Sequence, residues 1–127
     1  YLVRSSYALI SIRDPDVAEA RIPRAAGLRA VLHLAFDDAE PAAGWKLPPH
    51  VVVPTEEHAR RVWEFVDRYK EHVGAFVVHC HQGMSRSPAV AAALAGYLGL
   101  DDRRFWKEYA PNRHLYDLLR QTIPGSK

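Results

Sequence analysis

Apolar positions along this chain come first in short continuous runs and later recur with the period of a helix. Tyr7-Ala8-Leu9-Ile10-Ser11-Ile12 is an apolar run that stops at Arg13-Asp14-Pro15-Asp16. It predicts a first strand ending near Ile12, with the Asp-Pro pair as a turn. The stretch on to Gly27 carries Ala18, Ala20, Ile22, Pro23 and Ala26 and reads as a short helix or an irregular connection. Leu28 to Phe36, rich in Val and Leu, predicts a second strand ending at Asp37-Asp38. Ala39 to Pro54 then holds Pro41, Gly44, Pro48, Pro49 and Pro54, a composition that allows neither a long helix nor a central strand. It predicts an ordered surface loop with a brief strand at Val51-Val52-Val53. That loop is either a substrate-contact segment or a connector with Trp45 packed back on the core.

At Thr55 the pattern changes. Thr55 suits an N-cap, with Glu56 and Glu57 in the first turn, where acids match the helix dipole. Ala59, Val62, Trp63, Val66 and Tyr69 recur on one face, as burial on a sheet requires, and Gly74 reads as the C-cap glycine. Ala75-Phe76-Val77-Val78 predicts another strand, and the small residues Ala89 to Leu98 a helix ending at Gly99. Asp101 or Asp102 caps a further helix through Tyr109, and Pro111 opens a last one from about Asn112 to Thr122. The order strand, helix, strand implies an α/β fold with a small, mostly parallel central sheet flanked by helices. Ligands of such sheets bind at the carboxyl edge of the strands.

Composition narrows the function classes. At 127 residues, with 48% apolar and 25% charged residues, the chain suits one soluble domain spanning 1–127. A net charge of +2 implies no nucleic-acid field, and no apolar run approaches the ~20 residues of a membrane span. A monomer acting without nucleic acid or membrane is the expectation. The single cysteine allows no internal disulfide and fits a reducing, cytoplasmic setting. The chain starts at Tyr1 and its one methionine is internal, which points to trimming or processing.

That cysteine lies in His79-Cys80-His81-Gln82-Gly83-Met84-Ser85-Arg86-Ser87, between a predicted strand and a predicted helix. A loop opening a helix aims backbone N–H groups at one spot, where the dipole also favours negative charge. Such a nest stabilises a phosphate dianion and equally a Cys80 thiolate. Arg86 adds a planar fork of donors matched to phosphate oxygens. The result is an anion cradle with a nucleophile at its floor.

His79, Cys80, Gly83, Arg86 and Ser87 fill every fixed position of the signature His-Cys, two residues, Gly, two residues, Arg, then Ser or Thr. In this the chain resembles the cysteine-dependent phosphatases of the protein tyrosine and dual-specificity superfamily. The resemblance implies that superfamily's fold and hydrolysis of phosphate monoesters in two steps. Cys80 attacks phosphorus to give a cysteinyl-phosphate, which water then hydrolyses. It implies that His81, Gln82, Gly83, Met84, Ser85 and Arg86 bind the phosphate, that Gly83 turns the backbone at positive φ, and that Ser87 hydrogen-bonds the sulfur. His79 would orient the loop through hydrogen bonds. It also implies an aspartate acid on a second loop at the same edge. Asp38 is the first choice, Asp37 the second and Asp14 the third. Ala110-Pro111-Asn112-Arg113 resembles the start of the last helix in dual-specificity phosphatases, making Asn112 either support for the loop or a plain N-cap.

Three other readings remain. His79, Cys80 and His81 could suggest zinc, but neighbours at a strand end diverge and no second ligand pair follows, so neither metal nor cofactor is expected. A pseudophosphatase would bind a phosphorylated partner without turnover, although the motif is complete. A sulfur-transfer or arsenate-reducing enzyme would use a similar anion loop, although arsenate reduction would call for further cysteines. None of His81, Gln82, Met84 and Ser85 is a lysine, which favours a phosphoprotein, phosphotyrosine foremost, over a phosphoinositide or another non-protein ester.

Overall fold

The computed structural model describes residues 6–23, 25–41, 48–80 and 83–124. Three strands form a parallel sheet: β1 (Tyr7–Arg13), β2 (Leu28–Ala35) and β3 (Ala75–His79), in the order β2-β1-β3. Register places Ile10 between Leu32 and Val78, and Ser11 between His33 and His79. Because side chains alternate along a strand, Ala8, Ile10 and Ile12 share one face with Leu32, Leu34, Phe76 and Val78. Three helices cover that face: α1 (Glu56–Tyr69), α2 (Arg86–Tyr97) and α4 (Arg113–Gln121). The short α3 (Arg103–Glu108) packs against α2.

The core is the meeting of Ile10, Ile12, Leu34 and Phe36 with Val62, Trp63 and Val66 of α1, Val90 and Leu94 of α2, and Leu115 and Leu119 of α4. Trp63 buries its ring there and donates its indole N–H to the Leu119 carbonyl (3.0 Å), so α1 and the end of α4 are tied by a polar as well as an apolar contact. On the opposite face Leu9 and Ser11 are also buried. β3 is an edge strand among the described residues, with Val77 exposed.

The fold class follows the expectation, and its details differ in four places. The crossover β2-α1-β3 passes over β1, so the two strands it joins are not neighbours. Val51–Val53 is not a strand: the Asp37 N–H donates to the Val52 carbonyl (2.8 Å), and the Asp37 carboxylate accepts the Val52 N–H (2.7 Å). A side chain there replaces a ladder partner. Gly74 does not cap α1, which ends in right-handed geometry at Lys70; its N–H is instead given to Ser6 at the start of β1. The glycine with a cap's backbone is Gly99 (φ 76°). Its N–H meets the Gly96 carbonyl while the Leu100 N–H reaches back to Ala95, the paired bonds of a Schellman end.

Helix α2 also begins three residues ahead of expectation, at Arg86 rather than Ala89. Pro88 falls in the first turn, where its missing N–H costs nothing, and the Ala89 N–H makes the bond back to Ser85. Residues 14–27 hold no helix among those described, and Trp45 lies outside the described residues.

Candidate active site

All three strands run the same way, so the residues just past their ends gather at one edge: Asp14 after β1, Phe36 to Asp38 after β2, and Cys80 after β3. Facing them is the start of α2. Gly83, with φ of 72°, turns the chain toward that helix, and a Cβ added there would meet nothing within 4 Å. The requirement for glycine is therefore conformational rather than steric.

Cys80 is half-buried, and its sulfur is surrounded by donors. The Gly83 N–H (3.2 Å) and the Ser87 N–H (3.4 Å) point at Sγ, and the Ser87 hydroxyl lies 3.2 Å away, placed to donate to a thiolate. Burial pushes the thiol's pKa up. The Ser87 hydroxyl, the Ser87 and Gly83 amides and the positive charge of Arg86 outweigh it, and the pKa is held below the ordinary thiol value. The same donors favour a thiolate ahead of a helix N-terminus, where anions also gather.

Arg86, the first residue of α2, is only 4% exposed. A cation in a first turn opposes the helix dipole and needs compensation. Two acceptors supply it at one nitrogen: Nη1 donates to Asp14 Oδ1 (2.7 Å) and to the Phe36 carbonyl (2.8 Å). The expected guanidinium is thus at the loop, anchored by groups from the ends of the other two strands.

The three candidate acids separate by what they touch. Asp38 Oδ1 accepts from the Ser85 hydroxyl (2.8 Å) and from the Asn112 amide (2.8 Å), which places an exposed carboxylate against the loop. Asp37 turns away to Val52, and Asp14 is engaged with Arg86.

Asn112 satisfies both of its expected roles. It is fully buried, and its Oδ1 accepts the Leu115 N–H (2.9 Å), capping α4. Its backbone N–H donates to the Ser85 carbonyl (2.9 Å), and Nδ2 donates to Asp38 and to the Ala39 carbonyl (3.0 Å). The neighbouring Ala110 N–H binds the Met84 carbonyl (3.0 Å).

His79 stands apart from this network. Strand alternation puts its ring on the other face of the sheet, in register with Ser11 and His33, and no hydrogen bond from the ring is found among the described residues. Burial, and then the nearby His33, lower its pKa. His81 and Gln82 lie outside the described residues. Among the described residues no group of three or more His, Cys, Asp or Glu side chains is placed to hold a metal ion, and no helix is long and apolar enough to cross a membrane.

Two contacts escape sequence reasoning. Asp14 presents itself there only as an acid, and the Phe36 carbonyl not at all. The signal is present in part, since Asp14 follows a strand; what is lacking is the order of strands that sets it opposite Arg86.

No family model matches the chain. Over 120 residues it is 33% identical to dual specificity protein phosphatase 12 of Mus musculus, a stretch covering 87% of this chain and 33% of the mouse protein. Among solved structures, human tyrosine phosphatase-like serine/threonine/tyrosine-interacting protein superposes with a TM-score of 0.58 at 22% identity, covering 92% of this chain and 76% of that one. In sequence and in fold the chain is similar to the protein tyrosine/dual-specificity phosphatase superfamily. A second solved member of this fold, Tk-PTP in the active form, gives a TM-score of 0.53 at 18% identity and covers 97% of this chain and 82% of its own. The chain spans a third of the length of the mouse phosphatase, so the likeness concerns one part of that protein.

Proposed function

We propose that this chain hydrolyses phosphate monoesters in phosphoproteins, phosphotyrosine foremost and phosphoserine or phosphothreonine with it, and that residues 1–127 act as one phosphatase domain. The Cys80 thiolate attacks phosphorus, a P–S bond forms and the ester P–O bond breaks. Asp38, in its acid form, gives the leaving oxygen its proton. Water then attacks the cysteinyl-phosphate, Asp38 takes up the proton, and inorganic phosphate leaves with the thiolate restored. The Ser87 hydroxyl stabilises the departing sulfur. Arg86, with Nη1 already engaged, offers its Nε and Nη2 edge to two phosphate oxygens, and the amides at the start of α2 take the rest.

The observation that carries this reading is the ring of donors at Cys80 Sγ, from Gly83 and Ser87, which favours thiolate over thiol. Its test is phosphate release from phosphotyrosine peptides and a small aryl phosphate. Cys80→Ser should abolish turnover, and Asp38→Asn should lower kcat on the peptides by about 10²–10⁴. A second reading is favoured by the likeness to a protein named phosphatase-like and interacting: capture of a phosphorylated partner without turnover. Phosphopeptide binding by the unmodified chain with no phosphate released would establish that reading in place of ours.

A further inference from the structure

We infer that Asp14 is a positioning residue that presets the phosphate-binding edge of Arg86, an inference resting on the phosphatase reading above. Arg86 is buried, and its charge sits in the first turn of α2, where the dipole disfavours it. Left alone, such a side chain would withdraw toward any acceptor. Among the described residues, both hydrogen bonds of its side chain fall on Nη1, to Asp14 Oδ1 and the Phe36 carbonyl. Among the described residues no hydrogen bond falls on Nε or Nη2. The guanidinium is planar, so fixing one nitrogen from two directions fixes the plane and the heading of the opposite edge. That edge is the bidentate one, and the positive charge it carries is felt at Cys80. Asp14 can do this because it follows β1, the middle strand, and so reaches Arg86 at the edge where the three strands end.

An opposing effect makes the sign informative. Asp14 is an anion near a site for anions, so by charge alone its removal should strengthen phosphate binding. Positioning requires the reverse. Two variants separate shape from charge. Asp14→Asn keeps the Oδ1 acceptor and loses the charge, whereas Asp14→Glu keeps the charge and displaces the acceptor by a methylene.

The experiment measures tungstate binding by calorimetry, an oxyanion probe that needs no turnover, beside KM and kcat on an aryl phosphate, with thermal melting as the check on folding. Asp14→Ala and Asp14→Glu should bind tungstate about 10-fold to 100-fold more weakly, the loss expected for a misdirected charged hydrogen bond, with KM rising in parallel and kcat falling less. Asp14→Asn should stay within about threefold of the parent chain. Should Asp14→Ala fail to fold, the contrast between Asn and Glu decides. Equal or tighter tungstate binding in Asp14→Glu, or loss in Asp14→Asn matching that in Asp14→Glu, overturns the inference. A parent chain that releases phosphate while its Asp14 variants are unchanged defeats this inference alone. A parent chain that neither binds tungstate nor releases phosphate defeats the phosphatase reading with it.

Discussion

A sulfur atom accepts hydrogen bonds poorly as a thiol and well as a thiolate, so donors aimed at Cys80 act by selecting its charge state. Alkylation by iodoacetamide should therefore follow a titration with a midpoint below the ~8.5 of free cysteine. Ser87→Ala removes the leading contributor on the lowering side, and its midpoint should move up toward the free value. An unchanged midpoint in that variant would show that the hydroxyl plays no part. Asp37 and Asp38 stand side by side yet meet different partners, Val52 and the loop. Asp37→Ala should leave kcat within about threefold while lowering stability by ~1 kcal/mol, the worth of a hydrogen bond, as read by denaturant melts. At this scale the sequence is largely legible. Cys80 among its donors, the arginine, Gly83 at positive φ and Ser87 beside the sulfur all come from a short run whose spacing is set by the turn itself. Asp14 is not legible as the partner of Arg86, because a contact across 72 positions leaves no local trace.

Among the elements, α1 shows a start signal that the sequence only half discloses. Thr55 stands where a cap is expected, but the group returning to the Thr55 N–H (3.0 Å) is His58 Nδ1, in the place a Glu or Gln takes in a capping box. That nitrogen accepts only while the ring is neutral. Burial and the nearby Arg61 lower the His58 pKa from its ordinary 6.5, in keeping with that need, and His58 also packs on Phe36. The lowered folded pKa sets the sign: stability from neutral His58 is fully present above about pH 6.5 and is lost as pH falls through the folded value. His79, lowered by its own burial and by His33, adds a loss of the same sign. His58→Gln should keep a cap acceptor and flatten the acid side of the stability curve, whereas His58→Ala should cost ~1 kcal/mol at pH 7. A melting temperature as acid-sensitive in His58→Gln as in the parent would place the effect elsewhere. The start of α2 is hidden for a related reason. Pro88 resembles a helix boundary from sequence, and only the bond from Ala89 to Ser85 shows that the turn before it is already helical.

Over the whole molecule, strand direction is legible and strand order is not. A crossover of this length demands parallel strands, but nothing in apolar periodicity says that β1 lies between the two strands joined by α1. That placement brings Asp14 to Arg86. The other long-range join is Asn112, fully buried between the loop carrying Asp38, the loop carrying Ser85 and α4. Asn112→Ala strands the Leu115 N–H and the Ala39 carbonyl, each unsatisfied group costing about 1–3 kcal/mol, and should lower both the unfolding midpoint and kcat. Retained kcat with a lowered midpoint would confine Asn112 to stability. One residue that holds three segments also denies them separate lives. Ser85, Asp38 and the first turn of α4 cannot open singly without breaking a bond to Asn112, through its backbone N–H or its side chain, so their amide protons should trade with deuterated solvent on a common timescale.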